Sequence, residues 1–303
     1  MTSPDQMIGR TAIADARTTE AIKTGWQLLK ETAVSYMADE ALGRGAAMAF
    51  YAVTALAPVL LIMVAIAGLV FGDDAAQNAL KGQFQSMMGA QSAEMLQGLI
   101  KNAGQKSSGI IATIIGVVTL LITASGVFGE MQSALNAIWN AKPEGTTISR
   151  LIRARAASLG LVAALGFLLM VSLLISTGLA ALGDLVDAVL PFGQLILAAL
   201  NFIISFGLIS VLLASIYKVL PDKRLLWGDV IAGAIATSFL FTIGKSLIGW
   251  YLGSSAVSST YGAAGALIIV MLWTYYSSQI FLLGAEFTKV YARRHGSHAF
   301  QED

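Results

Sequence analysis

Three ionisable side chains lie inside long apolar stretches of the sequence, and they are the residues most able to carry chemistry. Glu130 and Glu286 each stand near the end of such a stretch, and Lys245 stands within another. A charge is costly where water is excluded, so each of these residues marks a candidate site. A carboxylate there could bind a cation or attract a cationic headgroup, and an ammonium could meet an anionic group.

Each of these residues also has a purely structural interpretation. Lys245 could reach the bilayer surface with its long apolar stem. Glu130 and Glu286 could pair with basic loop residues and simply fix the ends of their helices. The loop arginines concerned are Arg150, Arg153 and Arg155.

The spacing of polar residues around the glutamates predicts that two helices each carry a polar stripe. Tyr275 and Gln279 precede Glu286 at intervals that bring all three onto a narrow arc, at about 100° per residue. The same spacing recurs in Thr119, Thr123 and Glu130. Because polar side chains are costly against lipid, we expect both stripes to face inward, toward each other or toward water.

Most enzyme signatures are absent from the sequence. Cysteine does not occur, and both histidines, His295 and His298, lie in a polar tail. A histidine metal site or a Ser-His-Asp triad is therefore not expected. No Walker A motif is present, and the basic residues do not form a dense face with aromatic residues for RNA. We expect no enzyme activity, no cofactor, no bound metal and no nucleic-acid partner.

The composition identifies the environment of these residues as a lipid bilayer. Hydrophobic residues make up 56% of the 303 positions and charged residues only 12%, whereas soluble domains carry about 25% charged residues. A water-soluble fold is therefore not expected.

Six stretches are long and apolar enough to cross a bilayer as helices. Each has about 20 residues or more, which covers a hydrocarbon core of roughly 30 Å. Continuous apolar runs favour α-helices over the alternating strands of a β-barrel. The sequence therefore predicts an all-α, polytopic membrane bundle of about six transmembrane helices. The predicted spans are 46–71, 110–130, 156–183, 194–220, 229–252 and 264–287.

The distribution of basic residues predicts the orientation of the bundle. Fifteen of the nineteen Lys and Arg lie before the first span, in the second and fourth loops and in the tail. Because Lys and Arg gather on the cytoplasmic side, we expect both termini there. No long apolar run occurs before the first span, so we expect no cleaved signal. The predicted parts are a cytoplasmic segment 1–45, a transmembrane domain 46–292 and a cytoplasmic tail 293–303.

Two segments outside the spans show helical patterns of their own. Residues 19–40 predict a surface helix, which either lies at the lipid headgroups or packs as an ordinary cytoplasmic helix. Its apolar stripe consists of Ile22, Trp26, Leu29 and Ala33. The external loop 72–109 predicts two short amphipathic helices separated near Gly89.

Proline and small residues indicate where helices bend or touch. Pro58 removes a backbone hydrogen bond in the middle of the first span, near Tyr51 and Thr54, so we expect a kink there. The kink is either a packing adjustment or part of the wall of a binding cavity. Glycine pairs four residues apart allow close approach of helices. They are Gly68 with Gly72 and Gly249 with Gly253.

Two stretches resemble a known family. The first is AFYAVTALAP, which ends at Pro58; the second begins with YGAAG at Tyr261 and contains WTYYSSQ and GAEFT. Together they are similar to the YihY/BrkB family of bacterial inner-membrane proteins, formerly labelled ribonuclease BN, over about residues 30–293. The positions that the resemblance singles out are Tyr51, Thr54, Pro58, Tyr261, Gly262, Gly284, Ala285 and Glu286.

The resemblance implies a six-helix protein of the bacterial cytoplasmic membrane whose activity is poorly defined. Transport of lipids or ions has been suggested for members, and so has ribonuclease activity. Hydrolysis of a phosphodiester needs metal ligands or a general acid and base in a water-filled cleft. The sequence shows neither, so ribonuclease is the least favoured function.

The residues favour a transporter-like protein that binds or moves a lipid, an envelope precursor or a small ion through an intramembrane cavity. The alternative is a non-transporting scaffold for envelope assembly. We expect membrane lipids as partners, and a homo-oligomer or an envelope protein partner stays open. The candidate cavity residues are Tyr51, Thr54, Pro58, Thr119, Thr123, Glu130, Lys245, Tyr275, Gln279 and Glu286.

Overall fold

The computed structural model describes residues 25–72, 126–141, 193–254 and 257–295, with short pieces of the loop between 77 and 98. These residues are helical, apart from turns and links between the helices, and contain no strand. The chain is therefore all-α, as its apolar runs predict.

Six helices lie in the four long described ranges. In chain order, α1 covers 25–38, α2 is Ala41–Phe71, α3 covers 126–138, α4 is Gly193–Val219, α5 is Trp227–Ser254 and α6 is Val257–His295.

The predicted first, fourth, fifth and sixth spans are confirmed as helices α2, α4, α5 and α6. For the second span, the described part continues as α3 to residue 138, beyond the predicted end at 130. Most of that span, and the third span at 156–183, lie outside the described residues.

Among the described residues, three helical stretches are long and apolar enough to cross a membrane, namely Leu195–Val219, Trp227–Ile248 and Leu267–Arg294. The chain is therefore a helical membrane protein.

The turn between α1 and α2 contains only two residues. Glu40 adopts a left-handed backbone conformation with φ of 54°, which ends α1 and lets α2 begin at Ala41. The amide of Asp39 still donates to the carbonyl of Ser35 at 2.9 Å. The short turn fixes the direction in which the side chain of Asp39 points away from the backbone.

Helices α5 and α6 are packed through small residues that meet in pairs. A Cβ at Gly233 of α5 would overlap the hydroxyl of Thr288 of α6, and a Cβ at Gly284 of α6 would overlap the hydroxyl of Thr237 of α5. Each threonine hydroxyl also donates to the carbonyl of the glycine four residues earlier on its own helix, at 2.6 Å. The two helices are therefore antiparallel and in close backbone contact.

A buried tyrosine connects α4 to this pair. Tyr217 is fully buried, and its hydroxyl donates to the carbonyl of Phe281 at 2.7 Å. The same hydroxyl lies 3.2 Å from Oγ1 of Thr237. Helix α6 also packs against α2, so it lies between two groups of helices.

The link between α4 and α5 holds the end of α3. Asn136 donates to Oδ2 of Asp222 at 2.9 Å and accepts from the backbone amide of Asp222 at 2.7 Å. Lys223 donates to the carbonyl of Trp139 at 3.1 Å and lies over its indole ring. These contacts fix α3 relative to α4 and α5 on one side of the bundle.

The described pieces of the first loop, which fall within residues 77–85 and 93–98, are helical. Lys81 of the first piece pairs with Glu94 of the second at 3.8 Å. The pair links the two segments for which the sequence predicts short helices.

Candidate functional site

Three charged side chains form a cluster where the turn after α1 meets α6. Nζ of Lys289 lies 2.6 Å from Oδ2 of Asp39 and 3.5 Å from Oε2 of Glu286. Glu286 and Lys289 are three residues apart on α6 and therefore share a face of that helix. The ammonium thus ties the α1–α2 turn to α6. We call Asp39, Glu286 and Lys289 the charged cluster.

Glu286 is the most enclosed member of the charged cluster. Its side chain is 0% exposed, whereas those of Lys289 and Asp39 are 11% and 22% exposed. A buried carboxylate is destabilising unless it is paired and hydrogen-bonded. Its oxygen Oε1 receives no hydrogen bond from the part of the chain that the structure describes. The carboxylate is therefore only partly satisfied.

Two carboxyl groups in the charged cluster share one ammonium. Oδ2 of Asp39 and Oε2 of Glu286 both contact Nζ of Lys289, at 2.6 and 3.5 Å. The nearby Arg44 donates to the backbone carbonyl of Asp39 at 3.2 Å, not to a carboxylate. The two carboxylates and one ammonium leave the charged cluster with one unbalanced negative charge, so the cluster can attract one more positive charge.

A second contact between the same elements is built around Gln279. Its Oε1 accepts from the hydroxyl of Tyr36 on α1, and its Nε2 donates to the carbonyl of Leu42 on α2 at 3.2 Å. Gly45 of α2 lies so close that a Cβ there would overlap the amide group. Gln279 therefore joins three helices at once.

The phenol of Tyr36 is suited to this role as a donor. Burial raises the pKa of Tyr36 to about 12, and the neighbouring Tyr275 adds to the rise. The hydroxyl therefore keeps its proton throughout the physiological pH range. Tyr275 is itself half-buried, so the face of α6 with Tyr275, Gln279 and Glu286 is turned toward α1 and α2.

The other ionisable candidates do not join the charged cluster. Glu130 is half-buried on α3, and Lys245 is exposed on α5. The exposure of Lys245 agrees with a side chain that reaches the bilayer surface. Thr119, Thr123 and the loop arginines Arg150, Arg153 and Arg155 lie outside the described residues.

Among the candidate residues of α2, Tyr51 contacts α3 instead. The ring of Tyr51 lies against Gly126, where a Cβ would come within 2.7 Å of it. The hydroxyl of Thr54 donates to the carbonyl of Tyr51 at 2.7 Å. The backbone stays helical across Pro58, and the kink expected there stays a prediction.

The remaining motif positions lie on α6. Gly284 and Ala285 are buried, and Gly284 forms part of the contact with α5. Tyr261 and Gly262 fall within the helix, but their side-chain surroundings lie outside the described residues.

Sequence reasoning did not single out Asp39, Lys289 and Tyr36 as site residues. Lys289 offered a signal, because it follows Glu286 by three positions and so falls on the same helix face. Asp39 and Tyr36 offered none, since their role depends on a contact with α6 that is distant in sequence. In the described ranges, no group of three or more His, Cys, Asp or Glu residues is arranged to hold a metal ion.

The chain is similar to membrane proteins of several bacteria. It is 25% identical to a UPF0761 membrane protein of Mannheimia succiniciproducens over 80% of this chain and 82% of the relative. It is 30% identical to one of Methylibium petroleiphilum over 88% of this chain and 66% of the relative. The protein YfkH of Bacillus subtilis, whose name describes it as ribonuclease-like, is 22% identical over 88% of this chain and 95% of its own length.

No solved structure matches the chain significantly. The model of the family described as virulence factor BrkB matches residues 32–302, which include the charged cluster and nearly all of the described helices. The chain therefore belongs to the virulence factor BrkB family of membrane proteins.

Proposed function

We propose that this protein is a transporter-like protein of the bacterial cytoplasmic membrane that binds or moves a lipid, an envelope precursor or a small ion. The observation that carries the proposal is the enclosed carboxyl of Glu286, which shares one ammonium with Asp39 inside a membrane helix. A purely structural contact does not need such a group, because apolar residues of similar volume often stabilise as well or better.

In this proposal the charged cluster is a gate. While Lys289 bridges Asp39 and Glu286, the turn after α1 is held against α6. A cation, a proton or a cationic headgroup that reaches the carboxyls competes with Lys289 for them. Of the two contacts of Lys289, the one with Asp39 at 2.6 Å joins the turn to α6, whereas Glu286 lies on α6 itself. Loss of the contact between Lys289 and Asp39 loosens the α1–α2 turn from α6.

Native mass spectrometry of the gently solubilised protein tests this proposal. The wild type is compared with Glu286→Gln and with Glu31→Gln, a matched control that changes an exposed carboxylate on the same pair of helices. We expect a defined small molecule to remain with the wild type and the control, and to be lost from Glu286→Gln.

Equal retention of the bulk lipid mixture by all three proteins would count against a cavity for lipid or envelope precursor. The proposal would then depend on ion movement, measured in proteoliposomes with fluorescent indicators for protons, sodium and potassium. If neither cargo nor flux changes in Glu286→Gln, transport is rejected and the scaffold for envelope assembly becomes the better account. We propose no enzyme activity, and the ribonuclease-like name is a description of the Bacillus relative.

A further inference from the structure

Helix α1 is bound to α6 through one face and leaves the opposite face uncovered. Thr32 is buried on the bound face, where Tyr36 and Asp39 also contact α6. At the edge of that face, Arg294 of α6 donates to both carboxylate oxygens of Glu31. The polar side of α1 is thus the side that faces protein.

The uncovered face of α1 is apolar. Trp26 is 69% exposed, Leu29 58%, Val34 61% and Met37 65%. Together with the exposed Ala33, they fall within one sector of the helix at about 100° per residue. We call these five residues the outer stripe. A helix packed at the surface of a soluble protein has the opposite arrangement, with its apolar face toward the protein and its polar face toward the solvent.

The position of α1 indicates what covers the outer stripe. Its partners on α6 are Gln279, Lys289 and Arg294, and all lie within Leu267–Arg294, a stretch able to cross the membrane. Only two residues separate α1 from α2. The helix therefore lies beside membrane-spanning helices, and its far side faces the surroundings of the bundle near the C-terminal part of α6.

We propose that the outer stripe is a phospholipid-binding surface embedded at the boundary between headgroups and acyl chains. Amphipathic helices lie in this layer with their apolar face about 5–10 Å below the headgroups. Tryptophan is enriched there. Lys30 is exposed within the same sector, and its stem is long enough to bring the ammonium to a lipid phosphate.

The absence of cysteine from the chain makes a direct test simple. Single cysteines at Leu29 and Met37 are labelled with a nitroxide in the full-length protein, in nanodiscs of phosphatidylethanolamine and phosphatidylglycerol. Collision rates with oxygen, which partitions into lipid, are compared with those of a water-soluble nickel chelate. Thr32→Cys provides a protein-buried control and Arg224→Cys an exposed control in the α4–α5 link.

We expect labels on the outer stripe to collide with oxygen several-fold more often than with nickel, and the label at 224 to show the reverse. Low collision rates with both oxygen and the nickel chelate, as expected for the label at residue 32, would mean that protein covers the outer stripe. The covering protein would be either residues 1–24 or a second copy of the chain. More frequent collisions with the nickel chelate than with oxygen would mean that the outer stripe faces water. Either result overturns the proposal.

A smaller substitution supports the same measurement where a bulky label disturbs folding. Ala33→Cys with a small fluorophore should be quenched by lipids brominated on the acyl chain, and the Arg224→Cys control should not. Equal quenching of the two would contradict lipid contact.

Discussion

The hydroxyl of Thr288 occupies the space that a Cβ at Gly233 would need. The reciprocal contact places Thr237 against Gly284, so the backbones of α5 and α6 can approach only because neither glycine has a side chain. Overpacking of a closely fitted contact costs about 1–3 kcal/mol.

We therefore expect Gly233→Ala to lower the thermal midpoint of the detergent-solubilised protein by several degrees. Gly207→Ala on α4 is the control, because nothing lies within 4 Å of the Cβ it introduces. Thr288→Ala combined with Gly233→Ala should recover part of the loss, because it removes the hydroxyl but leaves the Cβ of residue 288 at 2.6 Å from the introduced methyl group. If the double variant is no more stable than Gly233→Ala alone, the contact is not the source of the effect.

The charged cluster predicts a non-additive pair of substitutions. Lys289→Met leaves Glu286 buried without a counter-charge, and breaking a buried pair in this way costs about 3–5 kcal/mol. Glu286→Gln combined with Lys289→Met removes that uncompensated charge and should be more stable than Lys289→Met alone. Equilibrium unfolding of the four proteins in a double-mutant cycle measures this coupling, and additive effects would show that the two groups do not interact.

The contact between α3 and the α4–α5 link predicts different effects for two neighbouring polar residues. Asn136 makes two short hydrogen bonds with Asp222, whereas Gln132 makes one longer bond of 3.4 Å. Asn136→Ala should therefore cost about 1–3 kcal/mol, because it removes two hydrogen bonds from Asp222, one to its carboxylate and one from its backbone amide. Gln132→Ala should change the unfolding midpoint little. Equal losses would show that Asn136 has no special role.

The raised pKa of Tyr36 predicts that the protein loses stability at alkaline pH. Its pKa rises on folding from about 10 to about 12, so the folded state favours the protonated phenol. Its contribution is complete below pH 10 and is lost as the pH rises through 12. The difference in unfolding free energy between wild type and Tyr36→Phe should therefore shrink between pH 10 and pH 12. A difference that stays constant over this range would contradict the burial of the phenol.

The ion pair between Arg294 of α6 and Glu31 of α1 predicts how much α6 stabilises α1 against local opening. Arg294→Gln should speed amide exchange in residues 25–38 by up to about fivefold, since partly exposed pairs contribute no more than about 1 kcal/mol. Arg293→Gln is the matched control, because the adjacent arginine is exposed. Hydrogen exchange followed by mass spectrometry measures the amide exchange rates of both variants. If exchange accelerates to a similar extent in both, the cause is the change in net charge and not the loss of the pair between Arg294 and Glu31.

Hydropathy and length were enough to predict α2, α4, α5 and α6, because each must satisfy its backbone within one apolar run. The continuation of α3 to residue 138 was not predicted. Its last turns are not lipid-embedded by composition, and they are held instead by Asp222 and Lys223 from a distant loop. A helix end that depends on tertiary contacts cannot be recognised from the sequence immediately around it.

The residues of the candidate site also divide into those that the sequence predicts and those that depend on distant contacts. The stripe of Tyr275, Gln279 and Glu286 follows from helical periodicity alone. Its partners Tyr36 and Asp39 lie more than 240 positions away in sequence, so no spacing rule connects them. The two interpretations of residues 19–40 also could not be separated by sequence, because α1 packs on protein with its polar face while its apolar face remains free.

The paired glycines and threonines of α5 and α6 also fix which parts of the protein can move. Sliding one helix along the other by a single turn would drive a threonine into a position without its matching glycine, so the register has one solution. We therefore expect α5 and α6, together with Tyr217 of α4, to move as one rigid body. The boundary between α6 and α1–α2 is held by polar contacts that can be exchanged one at a time. Any opening motion is expected to occur along that boundary.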